Sequence, residues 1–384
     1  MAEHSMIDPA TASAEVDLAA YRHNLTAIAE LVAPAEVMAV IKADAYGHGM
    51  LACARAARAA GIGWLGVVTL AEASAVRGDG DSGRLLAWMF GPDEDLAPAV
   101  ADDVDLGVHD ADQLNRVVAA AATCGKTARI HLKVDTGLSR NGCPIARWPA
   151  LCAAAAEAEQ AGAVEVVGVW SHFIASDDLE LSATADQLVC FERAVEQARQ
   201  ADLEPIRHLA NSAGALQVPE SRFELVRVGI ASYGVDPGEE IAAAHGVPLK
   251  PVMRLRAQLV NVKRVGAGTA VSYGATWTAP ADTVLGLVPL GYADGVPRHA
   301  SNLAEVEVNG RRCPIRGRIC MDQFVVDLGP GASDQVGDEV TLFGGSSSPS
   351  AEDWAEVCGT IGYEIVTRVG TRVPRNHRGG EQGG

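Results

Sequence analysis

The sequence predicts an α/β protein in two parts: an N-terminal (β/α)8 barrel of the TIM type and a C-terminal, mostly antiparallel β domain. Three observations carry this expectation. Between residues 37 and 230, short apolar and β-branched runs alternate eight times with alanine-rich stretches suited to helices. After Pro251 the texture changes to runs with polar residues at many alternate positions. No GxGxxG follows the first run, which argues against a dinucleotide-binding sheet. The boundary is expected at residues 1–245 for the barrel and 246–384 for the β domain, with the residues before Val16 free to pair with the β domain.

The eight runs are VMAVIK (37–42), WLGVVT (64–69), RLLAWMF (84–90), VDLGV (104–108), ARIHLKV (128–134), VEVVGVWS (164–171), IRHLA (206–210) and ELVRVGI (224–230). Several are almost continuously apolar, as parallel strands covered on both faces should be. The segments between them read as helices; DADQLNRVVAAAATCG (110–125) opens with a capping aspartate and closes at glycine. In the second part, RLRAQLVNVKRV (254–265) has strand composition. VEVNGRRCPI (306–315) centres on Asn309-Gly310, a hairpin signal. QFVVDLG (323–329) and DEVTLFG (338–344) are further strands, and Ser350 with Asp353 caps a helix running through Trp354 to Cys358.

Composition narrows the function classes. The formal net charge is −18 without a basic cluster, so nucleic acid is not an expected partner. No apolar run reaches membrane-spanning length and the N-terminus carries no export signal, so a cytoplasmic location is expected. Eight cysteines without a CxxC pair point to free thiols, with neither a metal site nor a disulfide framework.

In such barrels the chemistry sits at the C-terminal ends of the strands. There the first run ends at Lys42, the fifth is followed by Asp135 and Arg140, and the sixth ends at Ser171-His172. The seventh is followed by Asn211-Ser212, and the eighth holds Arg227 and ends at Gly229-Ile230. Amides and a hydroxyl after strands seven and eight match the usual phosphate site of this fold. A lysine at a buried strand end, with Arg140 nearby, has a lowered pKa and a nucleophilic amine. An activated lysine facing a phosphate pocket suits a Schiff base with pyridoxal phosphate; other Schiff-base barrels, such as aldolases, fit the same spacing. Bland readings stand beside these: Lys42 snorkelling, Tyr46 and His48 as helix-entry residues, His172 as a satisfied core histidine, Asn211-Ser212 as a helix cap. Arg227, inside an apolar run, must find acceptors.

VIKADAYGHG resembles the cofactor-lysine motif of bacterial alanine racemases. The likeness continues in order through HLKVDTGLSRNG, HFIASDD, HLANSAG, VRVGIASYGVDP, VSYGATW, LGYADGVPR, GRICMDQ and IGYEIVTRVGTRVPR, from about Val16 to Pro374. The resemblance implies pyridoxal 5'-phosphate as cofactor, bound covalently by Lys42, which also serves as one base. It implies phosphate contacts from Tyr46, Ser212, Gly229, Ile230 and Tyr363, with Asn211 beside them. Arg227 would face the pyridine nitrogen, and His172 would lie against the ring and hydrogen-bond Arg227 and Tyr273. Arg140 would touch the cofactor oxygen and the substrate carboxylate, and Lys133 matches a position that is often carbamylated in the family. Tyr273 would be the second base, Met321 would offer its amide to the substrate carboxylate, and Tyr292 would line the substrate pocket. These last three act on the partner subunit's cofactor, so a homodimer with shared sites is implied. GLSRNG and SHFIASDD vary positions around Arg140 and His172, and the first ten or so residues have no counterpart.

The implied activity is interconversion of L- and D-alanine by two bases, one per face, supplying D-alanine for peptidoglycan. A free phenol has a pKa near 10, so Tyr273 would need nearby cations to act as a base. Asp177 and Arg298 would guide the substrate inward. The nearest rival is racemisation of another small amino acid such as serine. A decarboxylase of the same barrel class fits less well because VSYG and GYADG argue against it, and a non-catalytic pyridoxal-phosphate carrier because such proteins resemble the barrel alone and lack a β domain with Tyr273.

Overall fold

The computed structural model describes residues 7–380 apart from Leu179 and Leu181. Eight parallel strands form the barrel: Glu36–Val40, Trp64–Val67, Arg84–Ala87, Asp105–Val108, Ala128–Asp135, Val164–Trp170, Ile206–His208 and Leu225–Val228. The eighth pairs back onto the first, Leu225 opposite Glu36 and Val228 opposite Ala39. At the seam between the seventh and eighth, the Arg227 amide donates to the Ala210 carbonyl at 2.9 Å. Inward-facing Met38, Trp64, Leu86 and Leu225 pack as a small apolar plug, while outward-facing residues join the larger core under the helices. Several strands stop short of their apolar runs because the last residues of the run turn into the mouth: RLLAWMF leaves the ladder after Ala87, and ELVRVGI after Val228.

Local chemistry sets the helix ends. Asp110 accepts from the Gln113 amide to open Ala111–Cys124, and Gly125 closes it at φ 64°. Thr69 and Glu72 form a reciprocal capping box at the start of Leu70–Gly78. The segment after Lys42 is not an ordinary helix entry. Ala43, Asp44, Ala45 and Tyr46 all have φ of 52–54°, one turn of left-handed helix before the right-handed Met50–Ala59. Such a turn costs on the order of 1–2 kcal/mol per residue, so its surroundings must impose it. Glu72 accepts from the Ala43 amide at 2.7 Å, and Asp44 accepts from the Met50 amide at 2.7 Å. The buried His48 Nδ1 donates to the carbonyls of Ala45 (2.9 Å) and Tyr46 (3.0 Å), and Arg375 donates to that of Gly47. Burial pushes the His48 pKa down to about 4, so this donor is a neutral imidazole.

The second part is a nine-stranded sheet built from Met253–Gln258, Asn261–Val265, Thr283–Val288, Glu305–Val308, Arg311–Arg316, Phe324–Asp327, Glu339–Phe343, Arg375–Arg378 and the N-terminal strand Ala12–Asp17. All pairings are antiparallel except Ala12–Asp17 with Arg375–Arg378. The single run expected over 254–265 is two strands. Leu259 donates to Asp338 and Val260 to Leu287, so the chain changes partners there. Asn309 (φ 50°) and Gly310 (φ 75°) make the two-residue hairpin turn, and Ser350 with Asp353 forms the capping box of Ala351–Cys358.

Candidate active site

The C-terminal ends of the barrel strands surround a cavity of about 270 Å³. Lys42, Tyr46, Arg140, His172, Asn211, Ser212, Arg227, Gly229, Ile230 and Tyr363 all line it, together with Lys133. Val40, Trp88 and Trp170 line it as well; sequence reasoning passed over them. The two tryptophans stand at the ends of the third and sixth apolar runs, where the strand-end argument applied equally.

The lining is cationic. Lys42, Lys133, Arg140 and Arg227 face one space with His172, and among the described residues no carboxylate lines it. Burial, then the charges of Arg140 and Arg227, lower the Lys42 pKa, against a raising influence from Glu72. Burial, then Arg227 and Arg140, bring Lys133 down to about 7; its ammonium lies over the Trp170 ring at 4.4 Å. His172 is held well below the usual histidine range by burial and then by Arg227. Crowded cations of this kind need an anionic occupant.

One end of the cavity is a hydroxyl cup. Asn211 accepts from the Gly214 amide at 2.9 Å and so opens the short helix Ser212–Gln217. The Ser212 hydroxyl accepts from the Gly229 amide at 3.0 Å. Gly229 is required by space: a Cβ there would lie 2.2 Å from the Tyr46 hydroxyl. Burial pushes the Tyr46 and Tyr363 phenols up, so both present protonated donors.

Arg227 forms the floor. Nη1 donates to the His208 carbonyl (2.7 Å), and Nη2 donates to the Ser171 (2.7 Å) and Leu209 (3.1 Å) carbonyls and to His172 Nδ1 (3.2 Å). The acceptors that a buried guanidinium demands are therefore backbone carbonyls and imidazoles. Among the described residues, none bonds Nε, although Arg227 lines the cavity. That N–H is a spare donor on a residue that lines the cavity.

Tyr273, Tyr292 and Met321 are not brought to this cavity in the single chain. They lie in the β domain and are 71%, 40% and 54% exposed. They do stand on adjoining segments: the amides of Tyr292 and Ala293 donate to the carbonyls of Cys320 and Met321, and the Ser272 hydroxyl donates to the Arg318 carbonyl. His172 therefore meets Arg227, as the resemblance implied, but not Tyr273 of its own chain.

Two family models match the chain. "Alanine racemase, N-terminal domain" covers residues 16–237, and "Alanine racemase, C-terminal domain" covers residues 252–377. Among curated proteins, the alanine racemase of Frankia casuarinae is 49% identical over 95% of this chain and 95% of its own length. That of Streptomyces coelicolor is likewise 49% identical, over 95% of each chain. Among solved structures, alanine racemase from the D-cycloserine producer Streptomyces lavendulae superposes with a TM-score of 0.94 at 46% identity, covering 97% of this chain and 98% of that one. The Streptomyces coelicolor enzyme also gives 0.94, at 48% identity and 96% and 98% coverage.

Proposed function

The chain belongs to the alanine racemase family, and from that premise we propose that it interconverts L- and D-alanine with pyridoxal 5'-phosphate held in the barrel-mouth cavity. The enzyme works as a cytoplasmic homodimer and supplies D-alanine for peptidoglycan.

The cavity suits this group in its donor set. An amine of lowered basicity, Lys42, stands ready for the aldehyde. Tyr46, Ser212, Tyr363 and the Gly229-Ile230 backbone, with Asn211 shaping the turn, form the phosphate cup. The spare Nε–H of Arg227 would hold the ring nitrogen, and Arg140 the ring oxygen. When bound, the cofactor supplies an electron-withdrawing ring that acidifies the Cα–H of the amino acid.

The chain's own groups do the proton work. A single fixed base reaches one face of a planar centre, so inversion uses two bases on opposite faces. Lys42 Nζ takes or returns the proton on the D-alanine face, and the partner's Tyr273 hydroxyl does so on the L-alanine face. His172, a neutral imidazole whose Nδ1 accepts from the cationic Arg227, has its Nε2–H left to donate to that phenol as it loses its proton. Arg140 and the partner's Met321 amide orient the substrate carboxylate, and the partner's Tyr292 narrows the space around the methyl group. An arginine at the ring nitrogen, unlike a carboxylate, does not keep that nitrogen protonated, and this limits side reactions such as transamination. With a pKa brought to about 7, Lys133 is roughly half free amine at neutral pH, the form that carbamylation requires. A carbamate there would convert one of the crowded cations into an anion facing Arg140.

The observation that carries this reading is Lys42 in one cavity with a hydroxyl cup at one side and the unused Arg227 donor at the other. The exposure of Tyr273, Tyr292 and Met321 on one surface supports the shared-site dimer. Two measurements test it. Optical rotation of L-alanine should decay with the holoenzyme, and faster than that of L-serine. Mixing inactive Lys42→Ala and Tyr273→Ala proteins under subunit exchange should restore activity, because some mixed dimers regain one intact site. Stable rotation overturns the function, and no recovery on mixing overturns the shared site.

A further inference from the structure

Behind Arg227 a line of buried polar groups crosses the barrel interior to its opposite end. Asp105, at the start of the fourth barrel strand, bonds through Oδ2 to His131 Nε2 at 3.1 Å. His131 Nδ1 lies 2.8 Å from His208 Nε2, and His208 Nδ1 lies 3.3 Å from Arg227 Nη1. Asp105, His131 and His208 are fully buried, and Arg227 is 4% exposed.

The interior is shaped for this line. The pairing shifts register at His131, which sits opposite Gly168. A Cβ on Gly168 would fall 2.4 Å from His131 Nδ1 and 3.0 Å from His208 Nε2, so the glycine vacates the space in which the two imidazoles meet. Trp170 stacks on His208 at 5.6 Å and 5°, and Trp64 meets His131 edge-on.

Protonation follows from inventory. Burial works to raise Asp105, but the bond from His131, the charge of Arg84 and the bond from Arg129 hold its carboxyl below the usual range. It is a carboxylate and accepts only. Burial holds both histidines below the usual range, so each is neutral with one donor and one acceptor. Arginine donates only. One arrangement satisfies every contact. Arg227 Nη1–H donates to His208 Nδ1, His208 Nε2–H donates to His131 Nδ1, and His131 Nε2–H donates to Asp105. A tautomer flip at either histidine would set two N–H groups against each other.

We propose that Asp105, His131 and His208 are positioning residues for racemisation, a one-way hydrogen-bonded column that fixes the plane of the Arg227 guanidinium and hence the direction of its Nε–H. The proposal rests on the reading of Arg227 as the ring-nitrogen partner. A wholly apolar interior, like the neighbouring Met38, Trp64, Leu86 and Leu225, would avoid the desolvation cost of four polar groups. At its cavity end the column serves Arg227. The other charged groups that face it, Arg84 (3.0 Å) and Arg129 (2.6 Å), both bind Asp105 and keep it ionised.

The test is imidazole nitrogen-15 spectroscopy on the full-length protein, with and without pyridoxal phosphate, beside kinetics and visible spectra of two variants. In the parent, His131 and His208 should both be pure Nε2–H tautomers and should not titrate between about pH 6 and about pH 9. Asp105→Asn removes the charged anchor and should bring in the second tautomer. Gly168→Ala wedges the imidazoles apart without touching the cavity, and it keeps the test open if Asp105→Asn does not fold. Each variant should lower kcat roughly tenfold, the scale of one charge-assisted hydrogen bond. Each should also make the holoenzyme's visible absorbance pH-dependent, which a loss of stability alone would not do. An Nδ1–H tautomer in the parent overturns the column. Folded variants with altered tautomers but parental kcat and spectra overturn its positioning role. The tautomers are read without cofactor as well, so a parent that binds no pyridoxal phosphate would refute the reading of Arg227 and leave the column standing.

Discussion

Gly229→Ala tests the cup by geometry alone. The added Cβ would stand 2.2 Å from the Tyr46 hydroxyl and 3.0 Å from its Cζ. An ordinary contact is about 3.5 Å, so the hydroxyl must retreat by about 1 Å or more. Tyr46 has little freedom to comply: its backbone belongs to the left-handed turn, and its ring lies 4.9 Å from that of the buried Tyr233. A displaced hydroxyl loses one hydrogen bond to a charged phosphate, about 1.5–3 kcal/mol. At roughly 1.4 kcal/mol per decade, pyridoxal phosphate should bind about 10- to 150-fold more weakly. Titration of the apo-protein followed by absorbance reads this directly, and a denaturant melt of the same apo-protein reports any general damage. Tyr46→Phe should weaken binding by itself, and the double variant should be little worse, since both changes remove the same bond. Fully additive losses, or parental affinity for Gly229→Ala, would refute the steric reasoning.

Lys133 makes a signed statement about pH. Its folded pKa, about 7, lies below its unfolded value, so between about pH 7 and about pH 10.4 the unfolded chain binds the extra proton. The Lys133 contribution to apo-protein stability should therefore rise with pH through that window and be least favourable below pH 7. Lys133→Met should be more stable than the parent at about pH 6, with the gap closing by about pH 10, in denaturant melts. A constant gap would contradict a buried titrating amine. Glu72→Gln removes the anion that raises the Lys42 pKa and weakens the clamp on the Ala43 amide. The rate of apo-protein Lys42 acylation, followed against pH by mass spectrometry, should have its midpoint displaced downward; an unmoved midpoint would mean that Glu72 acts only as a helix cap.

Much of the barrel was legible because parallel strands covered on both faces announce themselves as short apolar runs, many of them β-branched, and the strand-end rule then put Lys42, Arg140, His172, Ser212 and Arg227 on one rim. The left-handed turn was not legible. Ala43, Asp44, Ala45 and Tyr46 have no intrinsic reason to take positive φ, and the groups that impose it, Glu72, His48 and Arg375, include two distant in sequence. The column behind Arg227 was hidden for a related reason. Asp105, His131 and His208 each look like a single polar interruption in a strand, and only closure of the barrel brings them into line. The break at Leu259-Val260 escaped notice because strand composition continues across it; the hydrogen bonds that split it come from Asp338 and Leu287.

The strand Ala12–Asp17 lies between Met253–Gln258 and Arg375–Arg378, and its buried Glu15 meets Arg254, Arg256 and Arg378. During synthesis, Ala12–Asp17 leaves the ribosome long before either of its neighbours in the sheet and must wait for both. The second domain is thus laced shut by a strand that precedes the whole barrel, and a fragment beginning near Val252 would present two raw sheet edges to its neighbours.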